Sequence, residues 1–314
     1  MAVYGGRVKG GPVAPGAAIS RGPGAVFNAG RDESGYTRDM RIIETNEDLA
    51  GFVAELGQAP YLALDTEFLR DQTYYPKLCL IQVAGHPPGG APVEGIIDPL
   101  GQGLDLTPFY ELIARPDIVK VMHAARQDIE IFFLQGGVLP NPLFDTQVAA
   151  MVCGFGDAAS YETLARKIAK VEIDKSARFT DWSHRPLSKR QLEYALADVT
   201  HLCVIYEWMA ARLEKTGRFS WVAEEVASLQ DPGLYKLDPS LAWKRLKPRT
   251  SNKRFLAVLA ALAAWREQEA QARDIPRGRV VKDEALTEIA AHPPETPEAL
   301  ERIRAVPKGF ANSR

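Results

Sequence analysis

From Arg41 to Arg212, short apolar runs of strand length alternate with stretches of helical period, and after Gly217 the strand-like runs stop. Nothing else in the chain constrains its fold as much. Alternating strands and helices place helices on the faces of one sheet, whereas an uninterrupted helical tail has to build a core of its own. Arg41–Ile43, Tyr61–Asp65, Leu78–Ala84, Gly95–Ile97 and Ile118–Met122 read as strands. Asn46–Leu56 behind a Thr45 cap, Phe109–Ala114, Ala125–Gln135, Ser160–Ala169 and the long Ser188–Arg212 read as helices, and another starts within Phe144–Ala150. The expectation is an α/β domain with a mixed central sheet and flanking helices. Beyond it, Phe255–Ala272 carries Leu256, Leu259, Leu262 and Trp265 on neighbouring turns. Asp274-Ile275-Pro276 breaks that helix, and Asp283–Ala290 and Pro297–Ile303 supply two more. These predict a small all-helical domain.

The first 39 residues do not fit either pattern. They hold nine glycines and three prolines and bury too little apolar surface to offset the entropy of ordering. They are expected to be a disordered extension, with the folded chain starting at Met40. The segment is Gly-rich rather than amphipathic and lacks the apolar stretch of a secretory signal. No run of about 18 apolar residues indicates a membrane span. Cys79, Cys153 and Cys203 are far apart and form no CxxC pair, so they read as small core hydrophobes in a reducing cytoplasm rather than a zinc site or disulfide framework. A net charge of −2 argues against a surface that grips nucleic acid over its whole extent. Locally, Trp243–Arg254 holds six basic residues and no acid, which suits either phosphate contacts or a solvated linker.

The acids carry the chemical signal. Asp65 and Glu67 end the apolar run of YLALDTEF, and residues two apart on a strand share a face. Two carboxylates at the edge of a core repel unless a cation offsets them, and hard divalent ions prefer such oxygen donors. Taken alone, the pair is equally a strand end reaching solvent. Asp128 opens a helix after a strand, where a lone acid ordinarily makes a favourable dipole contact. Tyr194 and Asp198 lie four apart on the long helix and share a face, a common arrangement with or without a function.

Together the segments DTEFLRDQTYYPKLCLIQVA, HAARQDIEIF and LSKRQLEYALADVTHL, in this order, resemble the ribonuclease D family, the tyrosine-type branch of the DEDD exonuclease superfamily, over Met40–Arg212. From about Leu241, LAALAAWREQEAQARDIPRGRVVKDEALTEIA and PPETPEALERI resemble the helicase-and-ribonuclease-D C-terminal (HRDC) domain. The resemblance implies a ribonuclease H-like sheet at 40–213, a linker region at 214–240 and an HRDC-like domain at 241–314. It implies two divalent ions, Mg²⁺ or Mn²⁺, held by Asp65, Glu67, Asp128 and Asp198, with Tyr194 positioning the attacking water. Two ions about 3.5–4 Å apart clamp the attacking and leaving oxygens of an in-line displacement. The implied activity is 3′→5′ hydrolysis of RNA ends to nucleoside 5′-monophosphates, with transfer-RNA precursors as substrate and the cytoplasm as setting. All five positions carry the expected residue types.

Further candidates are Phe68, as a ring that stacks on the terminal base or belongs to the core, and His123, more often a packed histidine than a ligand. The resemblance also implies that Lys175 and Arg185, which flank Trp182, are candidate phosphate contacts. Asp145 suits a helix cap and Gln82 a structural place. The family commonly carries two helical domains after the exonuclease. This chain has room for one before it stops at PKGFANSR, so a shorter form or a truncated sequence is expected. Two other readings compete. A DNA exonuclease would use the same acids, because discrimination rests on contacts to the 2′-OH. An RNA-binding adaptor would tolerate the loss of an acid, and none is lost.

Overall fold

The computed structural model describes residues 40–306 and Gly309, so the extension expected to be disordered, 1–39, and most of the final residues lie outside the described residues. Six strands form one sheet: β1 (Ile42–Ile43), β2 (Tyr61–Leu69), β3 (Lys77–Gly85), β4 (Val93–Ile97), β5 (Val119–Met122) and β6 (Leu143–Asp145). Their order is β1-β4-β3-β2-β5-β6. The β2–β3 and β3–β4 pairs are antiparallel, and β1–β4, β2–β5 and β5–β6 are parallel. The sheet is therefore mixed, as expected.

Alternation along β2 sorts its side chains between two cores. Leu62 and Leu64 face the helices α1 (Asn46–Leu56), α2 (Thr107–Ala114) and α3 (Arg126–Gly136), together with Phe52, Phe109 and Phe132. Thr45 caps α1 through the Asp48 amide. Gly136 lets α3 close on α2, because a Cβ there would lie 2.5 Å from the Tyr110 ring. Tyr61 and Ala63 face the other side, towards α4 (Thr146–Val152), the short α5 (Tyr161–Leu164), the 28-residue α6 (Lys189–Thr216) and α7 (Phe219–Ala227). Ser188 and Gln191 close a capping box at the start of α6.

Two elements before the helical tail, β6 and α7, escape the sequence pattern. β6 is three residues long and runs straight into α4, so Leu143–Asp145 is too short to show an alternation. α7 buries only Val222 and Val226, one turn apart, which is too short a stripe to announce a helix. Asp145 caps α4 through the Gln147 and Val148 amides and also accepts from the Ala124 and Ala125 amides, tying the α3 and α4 starts together.

The helical tail comprises α8 (Lys253–Arg273), α9 (Arg277–Val280), α10 (Asp283–Ala291) and α11 (Pro297–Glu301). Leu259, Ala263, Val280, Leu286 and Ile289 form its core, and Tyr74 from the β2–β3 loop is buried among them. Asp274 accepts the Tyr74 and Tyr75 amides at 3.0 Å each, so the tail grips the loop that leaves β2. Among the described residues, no helix is long and apolar enough to cross a membrane.

Candidate active site

A cleft of ≈ 520 Å³ opens at the end of β2, where helices from both faces of the sheet converge. Asp65, Glu67 and Phe68 line it from β2, Asp128 from α3, and Tyr194 and Asp198 from α6, with His123 and Lys175 at its walls. The strand period explains the convergence. Asp65 and Glu67 alternate onto the α6 face, where Tyr194 and Asp198 share one side of the helix. Thr66 points the opposite way and donates a short hydrogen bond to Asp128 in the first turn of α3. A register shift between Glu67 and Phe68 bends the strand end where it enters the cleft. Gln82, directly across from Asp65 on β3, is buried, and neither of its amide atoms has a partner among the described residues.

The four acids are held in their protonated direction. Burial, then the charges of Asp198, Asp128 and Glu67, push the Asp65 carboxyl well above the usual range. Burial and the same neighbours, Asp198 and Asp128, raise Glu67 to about 8. Burial raises Asp198 to about 7 and Asp128 to about 6, the latter restrained by Thr66. Burial and Asp198 also push the Tyr194 phenol upward, so it keeps its proton at neutral pH. Such a donor set, all oxygen and mutually repelling, suits a hard divalent cation by its chemistry. Among the described residues, however, no three His, Cys, Asp or Glu side chains are gathered into a ready-made cage.

His123 stays neutral in direction through burial, its Nδ1 3.0 Å from the Thr146 hydroxyl. Lys175 forms an ion pair with Glu162 at 2.5 Å. Phe68 packs partly against the α1–α3 core while one side lines the cleft. Arg185 is placed elsewhere: it is not among the cleft's lining residues. Its guanidinium forks onto Asp98 at 2.5 and 2.7 Å and donates to the carbonyls of Cys79, Trp182 and His184. Among the lining residues that carry no motif visible in the sequence are Tyr161, Arg178 and Phe179. Tyr161 donates to the Asp198 carbonyl. For the other two, the basic–aromatic pair before Trp182 is the only sequence signal.

Residues 40–214 match the 3′-5′ exonuclease family, and residues 255–313 match the HRDC domain. A ribonuclease D from Granulibacter bethesdensis is 52% identical over 273 residues, covering 87% of this chain and 68% of the relative. One from Jannaschia sp. is 54% identical over 263 residues, covering 83% and 68%. The crystal structure of Escherichia coli RNase D, an exoribonuclease involved in structured RNA processing, superposes with a TM-score of 0.79 at 33% identity, covering 88% of this chain and 72% of that one. The sheet and its flanking helices are accordingly ribonuclease H-like in fold.

Proposed function

Because this chain belongs to the ribonuclease D family and is a metal-dependent 3′→5′ exoribonuclease of that type, we propose that the cleft at the end of β2 is its catalytic site and that Asp65, Glu67, Asp128, Tyr194 and Asp198 carry the reaction. The observation that carries this is the set of four carboxylates lining one cleft, Asp128 and Asp198 buried and Asp65 and Glu67 half-buried, with their proton affinities raised. The four would hold divalent ions, two Mg²⁺ or Mn²⁺ on the family's pattern, which when bound supply Lewis acidity for the water and for the departing 3′ oxygen. Tyr194, kept protonated, orients the water rather than deprotonating it. Water's oxygen bonds to phosphorus, the bond to the 3′ oxygen breaks, that oxygen ends as the new 3′-hydroxyl with a proton from the water, and a nucleoside 5′-monophosphate leaves.

The substrate is RNA with a free 3′ end, with transfer-RNA precursors in the cytoplasm as its physiological form. Phe68, His123 and Lys175 face that RNA, whereas Arg185 serves the fold through Asp98. The chain divides functionally into the exonuclease at 40–213, a linker at 214–240 and the HRDC domain at 241–314. Incubation with a 3′-extended RNA and Mg²⁺ or Mn²⁺ tests the site. A ladder shortening from the 3′ end, abolished by Asp65→Asn and by EDTA, is expected. Full activity of Asp65→Asn would remove the cleft from the reaction.

A further inference from the structure

We propose that the turn tip Arg178–Phe179 reads the RNA end, with Arg178 gripping the phosphate of the scissile bond and Phe179 stacking on a base beside it. This rests on the catalytic reading of the acid cleft. The two residues are the central pair of a hydrogen-bonded turn, in which the Thr180 amide donates to the Ala177 carbonyl at 3.1 Å. Central turn residues project furthest from the chain. Both line the cleft.

The turn is anchored on every side, so this projection is not the sway of a loose loop. Ala177 is buried before it, and Trp182 is buried after it. The Thr180 hydroxyl donates to the Ala177 carbonyl at 2.7 Å and accepts from the Gln191 amide at 3.1 Å. Upstream, Asp174 caps the turn before it and is held by Arg190 of α6 at 2.8 Å. Downstream, Arg185 is fixed to Asp98. A pinned platform of this kind presents its tip at little ordering cost, which is what a substrate contact requires.

Phe179 is 89% exposed, and its ring contact is the Arg178 guanidinium, 5.4 Å from the centroid. A phenyl ring left in water at the rim of a nucleic-acid cleft matches the stacking platforms of single-strand binders. Arg178 differs from its neighbours Lys175 and Arg185, whose charges are spent on Glu162 and Asp98. Its own charge reaches Glu67, Tyr194 and Asp198 at once, and it opposes the charge of the two acids. Four carboxylates repel an incoming phosphate. A guanidinium at their edge gives that phosphate a bidentate partner and fixes its place relative to Tyr194.

The test is steady-state kinetics on labelled single-stranded RNA, either intact or abasic at the last or the next-to-last position. Arg178→Ala is expected to lower kcat/KM about 100-fold, with partial recovery in Arg178→Lys. Phe179→Ala is expected to raise KM about 10-fold on intact RNA and to cost nothing further on one of the abasic RNAs, because the ring and the missing base share one interaction. An Arg178→Ala enzyme within about two-fold of wild type, or an equal Phe179→Ala penalty on all three RNAs, overturns the proposal. Unchanged melting temperatures establish that the variants are folded. Asp65→Asn in the same assay separates the two readings. If it stays active the cleft reading falls. If it is dead while both turn variants match wild type, only the turn proposal falls.

Discussion

Two of the places where the molecule withdraws acids from water treat them in opposite ways. In the helical tail, Glu267 is 1% exposed, yet it is surrounded by donors: Arg277 at 2.5 and 2.7 Å, Arg245 at 2.9 Å and the Tyr74 hydroxyl. Those partners outweigh burial and lower its pKa to about 2. At the end of β2, Asp65, Glu67, Asp128 and Asp198 line one cleft, and burial, joined at Asp65 and Glu67 by the charges of the other acids, raises their pKa values. The fold satisfies the first acid with its own donors and leaves the proton affinities of the second set raised, as expected of carboxylates proposed to hold a cation. The difference separates a buried carboxylate that holds structure from a group to which the proposed reading gives the chemistry.

The strongest way to break this comparison is to neutralise one acid from each set. Glu267→Gln leaves Arg277 and Arg245 without their anion and loosens the Tyr74 contact. It is expected to cost about 2 kcal/mol, lowering Tm by roughly 5 °C. Asp65→Asn removes a buried repulsion, so its Tm in EDTA should rise while its exonuclease activity disappears. Equal destabilisation by both substitutions in a thermal melt would erase the distinction.

A pH series sharpens it. The raised acids have folded pKa values near 6, 7 and 8 for Asp128, Asp198 and Glu67, against ordinary values of 3.8 and 4.5. Protonation therefore favours the folded state, and the stability they contribute is present below about pH 4 and is lost as pH rises through 6 to 8. Glu267 has the reverse sign: its contribution is present above its ordinary 4.5 and is lost as pH falls towards 2. Without divalent ions, Tm should fall as pH rises from about 4 to 8, and Mg²⁺ should flatten that slope. A flat profile in EDTA would show that the four carboxylates do not burden the fold.

The smallest effect concerns two basic residues with similar sequence surroundings. Arg185→Ala strips Asp98 of its fork and should lower Tm by several degrees with little change in KM. Lys175→Ala, at an exposed ion pair on the cleft wall, should leave Tm alone and raise KM about two-fold. The reverse assignment of the two phenotypes would place Arg185 on the RNA and Lys175 in the fold.

Local periodicity determined much of this protein. The alternation of apolar runs marked the mixed sheet and its helices. Spacing of two on a strand put Asp65 beside Glu67, and spacing of four on a helix put Tyr194 beside Asp198, because those rules depend only on residues a few positions apart. Repulsion among acids pointed to a cation for the same local reason. What no local rule contains is closure across the sheet. Asp128 joins the other acids because Thr66, on the opposite face of β2, hands it to the strand end. Lys175 reached the cleft and Arg185 did not, because Asp98 and the Cys79 carbonyl claim Arg185 from β3 and from just beyond β4. Arg178 and Phe179 became the tip of a pinned turn only once Gln191 and Trp182 docked on either side. Tyr74 found Glu267 193 positions away. Such contacts arise where distant segments are brought together by the burial of their neighbours, and that is decided by the tertiary structure.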